Sequence, residues 1–342
     1  MPPDTHGPSQ TRAASHLRLQ PLPPLARGCA KHSPPLCLSH HAAVTVAFPP
    51  NRHALLTPPA AMAPPLPALL PALLRAFYLA ASLLILVIQA VPALRTRFLA
   101  YGPRATTPPA QHKQEHRQHR QPSALSRALD YAASLQVPHG FFSHFYVTSV
   151  ACSLLWAWQM HVWHAHRQQQ VVWALLLLQG LRRVLESHVY TSASKSTMSV
   201  AHWLLGLLFY VTINAAIWAE TPGTASANAL LVPAVMTAQM LQHSYHAYLY
   251  RLRTESKGYQ LPSHPMFPNL LCPHYTCEVV VYALLSLIAA PDGSLVNWTL
   301  VCGAIFVATN LGVTAVGTKE WYMAKFGADK VGSRKRMVPA MW

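Results

Sequence analysis

A histidine and a glutamate four residues apart, His274 and Glu278, open an apolar run in the stretch CPHYTCEVVVY (272–282). On a helix that spacing puts both side chains on one face. Pro273 suits a first turn, and a glutamate near a helix N-terminus is favoured by the dipole. Capping accounts for Glu278 but gives no reason for a histidine beside it on the same face. Ionisable groups at the ends of membrane spans are costly and mark sites. Two zinc ligands also take this spacing, but no third ligand stands nearby.

Three further segments carry polar groups within or beside apolar runs. In QHSYHAYLYRLR (242–253), His246 follows Gln242 by four residues and Arg253 follows His246 by seven, on one helical face. Either this is a wet helix end, or it is the wall of a site for a phosphorylated cofactor, which the fork of an arginine binds bidentately. Arg182, Arg183 and Glu186 follow VVWALLLLQG. They either neutralise one another along the helix or turn the arginines toward a cavity that holds an anion. GFFSHFYVTS (140–149) opens a span with His144 and Tyr146, as an aromatic belt or as hydrogen-bond donors. No Gly-x-Gly-x-x-Gly, Walker loop or Gly-x-Ser-x-Gly occurs, which excludes a Rossmann cofactor site and gives no support to a serine hydrolase.

The elements that position these groups are spans. Of the 342 residues, 52% are hydrophobic and 11% charged, against about 25% charged in soluble domains. Apolar runs at 75–94, 145–163, 171–190, 201–219, 227–249, 277–291 and 298–316 give an expected all-α integral membrane protein, a seven-helix bundle. The net charge of +16 is spread between these runs. It is not interleaved with aromatics in one patch, so nucleic acid is not the expected partner. Arg95, Arg97, Arg104, Lys113, Arg117, Arg120 and Arg127 follow the first span; Lys195 follows the third; Arg251, Arg253 and Lys257 follow the fifth; six more basic residues lie in the tail. The loops 220–226 and 291–297 have none, and 164–170 has only Arg167. That alternation puts the three basic loops and the C-terminus in the cytosol.

Residues 1–61 are rich in Pro, Ser, His and Ala, with Asp4 their only acid. They read as a disordered extension or a transit peptide. Met62 reads equally well as a start, which makes 62–342 the membrane domain and 181–342 its C-terminal core. QHKQEHRQHRQ (111–121) is irregularly spaced and lacks cysteine, so a solvated loop is expected there and no metal. The six cysteines are scattered and make no disulfide framework.

Taken in order, these motifs resemble the steroid 5α-reductase family, and within it the branch that reduces polyprenols to dolichol. FFSHFYVTSV (141–150) is similar to that branch's second-span signature, and LRRVLESHVY (181–190) to the family's Arg-Arg-x-x-Glu segment. Gln242 and His246 match branch positions, PHYTCE (273–278) matches Pro-His-Tyr-x-x-Glu, and WYMAKFGADKVGSRKRMVPAMW (321–342) matches the family's ending. Lys319 and Glu320 depart from the pattern.

The resemblance implies a multi-pass reductase of the endoplasmic reticulum membrane, with NADPH bound in a pocket open to the cytosol. Arg183, Glu186, Gln242, His246, Arg253, His274, Glu278, Tyr322 and Arg334 are then expected to line the cofactor pocket. His144 and Tyr146 are the expected catalytic donors to the substrate oxygen. The expected substrate is a polyisoprenoid, polyprenol or its aldehyde polyprenal, reduced for the dolichol of protein N-glycosylation, and the expected state is a monomer. A trans-2-enoyl-CoA or 3-oxo-steroid reductase of the same family remains the rival reading. A multispan transporter predicts inverted repeats, and none occurs here.

Overall fold

A computed structural model describes residues 66–99, 123–190, 196–220, 230–255 and 258–342, which are mostly helical. They all fall in one unit, Ala61–Trp342; the other unit, Met1–Ala60, lies outside the described residues, as does the tract 111–121. The expectations for 1–61 and for that tract therefore fall outside them too.

Helices occupy all seven apolar segments. They are α1 (Leu66–Ala90), α4 (Phe142–Gln159), α5 (Arg167–Val189), α6 (Val200–Ala219), α7 (Leu231–Thr254), α8 (Pro273–Ile288) and α9 (Trp298–Phe326). Short helices α2 (Pro92–Phe98) and α3 (Ala124–Ser134) follow α1, and α10 (Ala328–Val331) follows α9. Ser123, Ser199 and Asn297 cap α3, α6 and α9, each accepting from a backbone N–H of the first turn. Pro92 and Pro273 stand in first turns, where the missing N–H costs nothing. Gly327, at φ 93°, ends α9 in a conformation that a side chain would strain.

Among the described residues, four helical segments are long and apolar enough to cross a membrane: Leu69–Ala90, His139–Gln159, Val200–Ala219 and Trp298–Phe326. α8 is apolar but shorter. α5 and α7 are not among the four, and their polar residues explain why. Gln168, Gln179, Glu186, Gln239 and Gln242 are buried on them, so their polarity faces the bundle interior. The outward face of α1, by contrast, exposes Leu79, Leu83, Leu84 and Leu86, as a lipid-facing helix does.

The core lies among α1, α5, α6, α7, α8 and α9, around Tyr78, Leu176, Ile213, Val235, Val281, Leu285 and Leu300. α7 packs on α8, α1 on α9, α4 on α5 and α6, and α8 on α9. A short antiparallel ribbon pairs β1 (Gln136–Pro138) with β2 (Thr197–Ser199) in the register Val137↔Met198. It brings the first turns of α4 and α6 side by side. There Gly206 allows close approach: a Cβ on it would stand 2.6 Å from the Phe145 ring.

Two polar clasps mark the ends of the bundle. At one, Glu220 accepts from Arg75 at 2.7 Å and from the N–H and hydroxyl of Thr299 at 2.8 and 2.6 Å, joining α1, α6 and α9. At the other, Arg95 beyond α1 pairs with Glu320 of α9. Cys152, Cys272, Cys277 and Cys302 are free thiols.

Candidate functional site

Helical spacing assembles one face of α5 into a polar ladder: Gln179, Arg182, Arg183 and Glu186, at intervals of three, one and three residues. The carboxylate of Glu186 is buried and accepts from Arg182 and Arg183 on its own helix and from α7, where the Nδ1 atoms of His243 and His246 lie 2.8 and 2.7 Å away. A buried carboxylate is stable only when paired and hydrogen-bonded, and two guanidiniums supply that here. The same Nδ1 of His246 lies 2.7 Å from Arg183 Nη1. A single ring nitrogen serves one of these partners at a time, because Glu186 only accepts and Arg183 only donates. Arg183 also donates to the hydroxyl of Tyr146 on α4, and its guanidinium lies 4.5 Å over that ring.

α8 supplies the third wall. Gln242 donates to Glu278, and Gln179 donates to the same oxygen, Oε2, at 3.0 Å; neither engages Oε1. His274 is sandwiched by rings. Tyr245 stacks on it at 5.2 Å and 13°, and His246 meets it edge-on at 5.2 Å. Tyr245 is held in turn by donating to the carbonyl of Leu271 at 3.1 Å. The buried Nδ1 of His274 has no protein partner.

Three adjoining cavities meet at these residues. The first, about 280 Å³, has a polar half (Tyr146, Arg183, Gln242, His246, His274 and Glu278) and an apolar half (Phe145, Leu205, Phe209, Phe306, Val307 and Leu311). The second, about 330 Å³, shares His274 and Tyr275 with the first and runs on to Arg253, Tyr259, Trp321 and Tyr322. The third, about 190 Å³, lies among Arg183, Glu186, His246, Tyr250 and Arg253. A chain of cavities with cations and aromatics at one end and a half-apolar chamber at the other can hold an extended, phosphorylated, ring-bearing molecule against an apolar one.

Of the residues singled out from the sequence, Tyr146, Arg183, Glu186, Gln242, His246, Arg253, His274, Glu278 and Tyr322 line these cavities. Two do not. His144 packs against Phe141 at 4.4 Å and Trp203 at 6.1 Å. It stands two residues from Tyr146 on α4, about 200° around the helix, so the two cannot serve one oxygen. Arg334 donates instead to the carbonyl of Pro262, and its own carbonyl accepts from Lys319 at 2.7 Å. Lys319 also binds the carbonyl of Gly332 at 2.8 Å, so both residues tie the tail down.

Sequence reasoning missed other wall residues. Asn310 sits alone in the apolar run IFVATNLGV and lines the first two cavities. A lone amide inside a span is itself a signal. His202 and Tyr210 of α6 join the same wall, with no spacing that links them to His274.

The sequence model of the 3-oxo-5-alpha-steroid 4-dehydrogenase family matches residues 190–342. Polyprenal reductase of Saccharomyces cerevisiae is 29% identical over 215 residues, 61% of this chain and 77% of that protein. Polyprenal reductase 1 of Oryza sativa subsp. indica is 25% identical over 64% of this chain and 83% of its own length. Polyprenal reductase 1 of Arabidopsis thaliana is 26% identical over 56% of this chain and 77% of its own. The resemblance to the steroid 5α-reductase family and its polyprenol-reducing branch is borne out. The chain is a multi-pass membrane protein with similarity to those reductases.

Proposed function

We propose that this chain is a polyprenal reductase: an oxidoreductase of CH–CH bonds that reduces the α-isoprene double bond on the route from polyprenol to dolichol. Its relatives in yeast and plants bear the name polyprenal reductase. The observation that carries the reading on this chain is the first cavity, where one wall is polar around His274 and Glu278 and the other is built of Phe145, Phe209 and Phe306.

The cofactor proposed is NADPH, which supplies the hydride when bound. Its fit rests on three features: the unpartnered buried Nδ1 of His274, the cations Arg183 and Arg253, and the aromatic pair of Tyr259 and Trp321 at 4.9 Å. His274, Glu278, Gln242 and His246 would hold the reactive end, and Arg253 and Tyr322 the far end.

An isolated alkene resists a nucleophile, whereas conjugation with an aldehyde makes its β-carbon electrophilic. Reduction then places negative charge on the aldehyde oxygen, which needs a donor in a dry site. Tyr146 fits that role. Its hydroxyl accepts from Arg183, so its own hydrogen stays free to donate, and the guanidinium polarises it. The aromatic half of the cavity excludes water and receives the isoprenoid.

The protein is proposed to cross the endoplasmic reticulum membrane seven times as a monomer, with the cavities open to the cytosol and 62–342 as the reductase domain. The test is direct: incubate purified protein with NADPH and polyprenal, a 3-oxo-Δ4-steroid or a trans-2-enoyl-CoA. Turnover of polyprenal well above the other two supports the reading, and preference for either rival overturns it.

A further inference from the structure

Two residues beside the cavity contact, outside the set expected to bind cofactor, decide how Glu278 is held. Arg182 Nη2 lies 2.7 Å from Gln179 Oε1 and also donates to Gln242 Oε1. A guanidinium only donates, so it dictates which end of each amide faces it: the oxygen. Both NH2 groups must then point away from Arg182. That of Gln179 meets Glu278 Oε2 at 3.0 Å and Gln242 Oε1 at 3.0 Å. That of Gln242 meets Glu278 Oε2 and the carbonyl of His274 at 3.4 Å. Arg182 is held by Glu186, which is itself the hub for Arg183 and His246. Gln179 and Gln242 are both 2–3% exposed, so neither amide can turn to water instead.

We infer that Gln179 is a positioning residue for Glu278 and that Arg182 sets the polarity of the Gln179–Gln242 amide pair, so that two N–H groups converge on one carboxylate oxygen and leave Oε1 for the ligand. This rests on the reading of Glu278 as a ligand-binding group. The arrangement also joins the Arg183–Glu186–His246 cluster to Glu278 through one unbroken set of hydrogen bonds. A bare carboxylate on a helix face has several rotamers; two convergent donors select one.

The test is a double-mutant cycle read by NADP+ affinity, measured by quenching of tryptophan fluorescence, with folding checked by gel filtration. Gln179→Met keeps size and removes both donations. The expected result is about tenfold weaker NADP+ binding. A positioning residue works through its partner, so the pair Gln179→Met with Glu278→Ala should bind no more weakly than Glu278→Ala alone. Losses that multiply in the double variant, or a Gln179→Met protein that binds as the parent does, overturn the inference. A second variant protects the test against misfolding. Gln179→Glu puts a carboxyl beside a carboxylate, and such a pair shares one proton at low pH. Its affinity should recover as pH falls from 8 to 6 while that of Gln179→Met stays low. Parallel pH profiles for the two variants also overturn it. If the parent binds NADP+ and shows the coupling yet fails to reduce polyprenal, the functional reading falls and the positioning stands. If the parent binds no NADP+, the assignment of Glu278 falls, and this inference with it.

Discussion

At the scale of single residues, the site is a set of i, i+4 pairs brought face to face. His274 and Glu278 on α8 meet Gln242 and His246 on α7 and the α5 ladder. His274→Gly or Glu278→Ala should therefore abolish reduction in protein that still folds. Helix capping at this position is worth only about 1 kcal/mol, whereas displacing a reacting group by about 1 Å costs about 100-fold in rate. Turnover per folded molecule, with Cys277→Ala as a control, measures this, and near-normal turnover in both variants would remove the support for the site. Tyr146→Phe should keep the ring under Arg183 and lower kcat by about 100-fold with little change in NADPH KM, because only the donor to the developing oxyanion is lost. Equal effects on kcat and KM would argue for a binding role instead. These pairs were legible because periodicity reports a face within one helix. What it does not report is which faces meet. Gln179 reads as one more polar residue at the end of an apolar run, and only the approach of α7 and α8 gives it Glu278 and Gln242 as partners. His144 and Tyr146 read alike in sequence, and the two-residue step between them decides which one faces the cavity.

At the scale of elements, the seven helices were legible in their apolar runs, and the start of α8 in Pro273. The β1–β2 ribbon was not, because three-residue strands show no period and one of them ends in Pro138. Nor was the contact that seats α8. The N–H groups of Leu271 and Cys272, just before α8, donate to the carbonyls of Lys335 and Arg336 at 3.1 and 2.8 Å, and Thr276 donates to that of Met337. Such pairings join segments some 60 residues apart, which no local pattern encodes. The clasp at Glu220 makes a prediction about pH. Burial pushes its carboxyl up, but the hydrogen bonds from Thr299 and Arg75 outweigh that and leave it below the usual glutamate range. A depressed value in the folded state contributes stability above the unfolded value, about 4.3, and that contribution is lost as pH falls below it. Glu220→Gln should thus unfold at a lower temperature than the parent at pH 7, with the gap narrowing only below about pH 4.3, as pH falls through the lower folded value. Thermal unfolding in detergent at pH 7 and at about pH 2.5 tests this, and a gap of the same size at the lower pH would show that the charge is not what the clasp uses.

At the scale of the whole molecule, the two clasps stand at the two ends of the bundle that the charge of the loops distinguishes. The Glu220–Arg75–Thr299 clasp sits beside the loops that lack Lys and Arg. The Arg95–Glu320 pair sits at the other end, where α1, α5 and α7 run into basic loops and α9 into the tail. The cavities reach that basic end through Arg253, Trp321 and Tyr322, and the proposed orientation, basic end to the cytosol, would open them to a soluble, phosphorylated cofactor. Arg253 stands between the second and third cavities with its guanidinium 5.9 Å from the Tyr259 ring, the right kind of group for a ribose phosphate. Two outcomes should appear together in sealed microsomes. A tag at the C-terminus should be cleaved by added protease while one inserted at 291–297 is protected, and added NADPH should support reduction without detergent. Arg253→Ala should then raise the KM for NADPH about 10- to 100-fold and leave that for NADH nearly unchanged, since only the former carries the ribose 2′-phosphate. A protected C-terminal tag, or reduction that waits on detergent, would reverse the orientation. An Arg253 variant that loses both nucleotides equally would move the phosphate site elsewhere in the chain of cavities, with Arg183 the next cation to test.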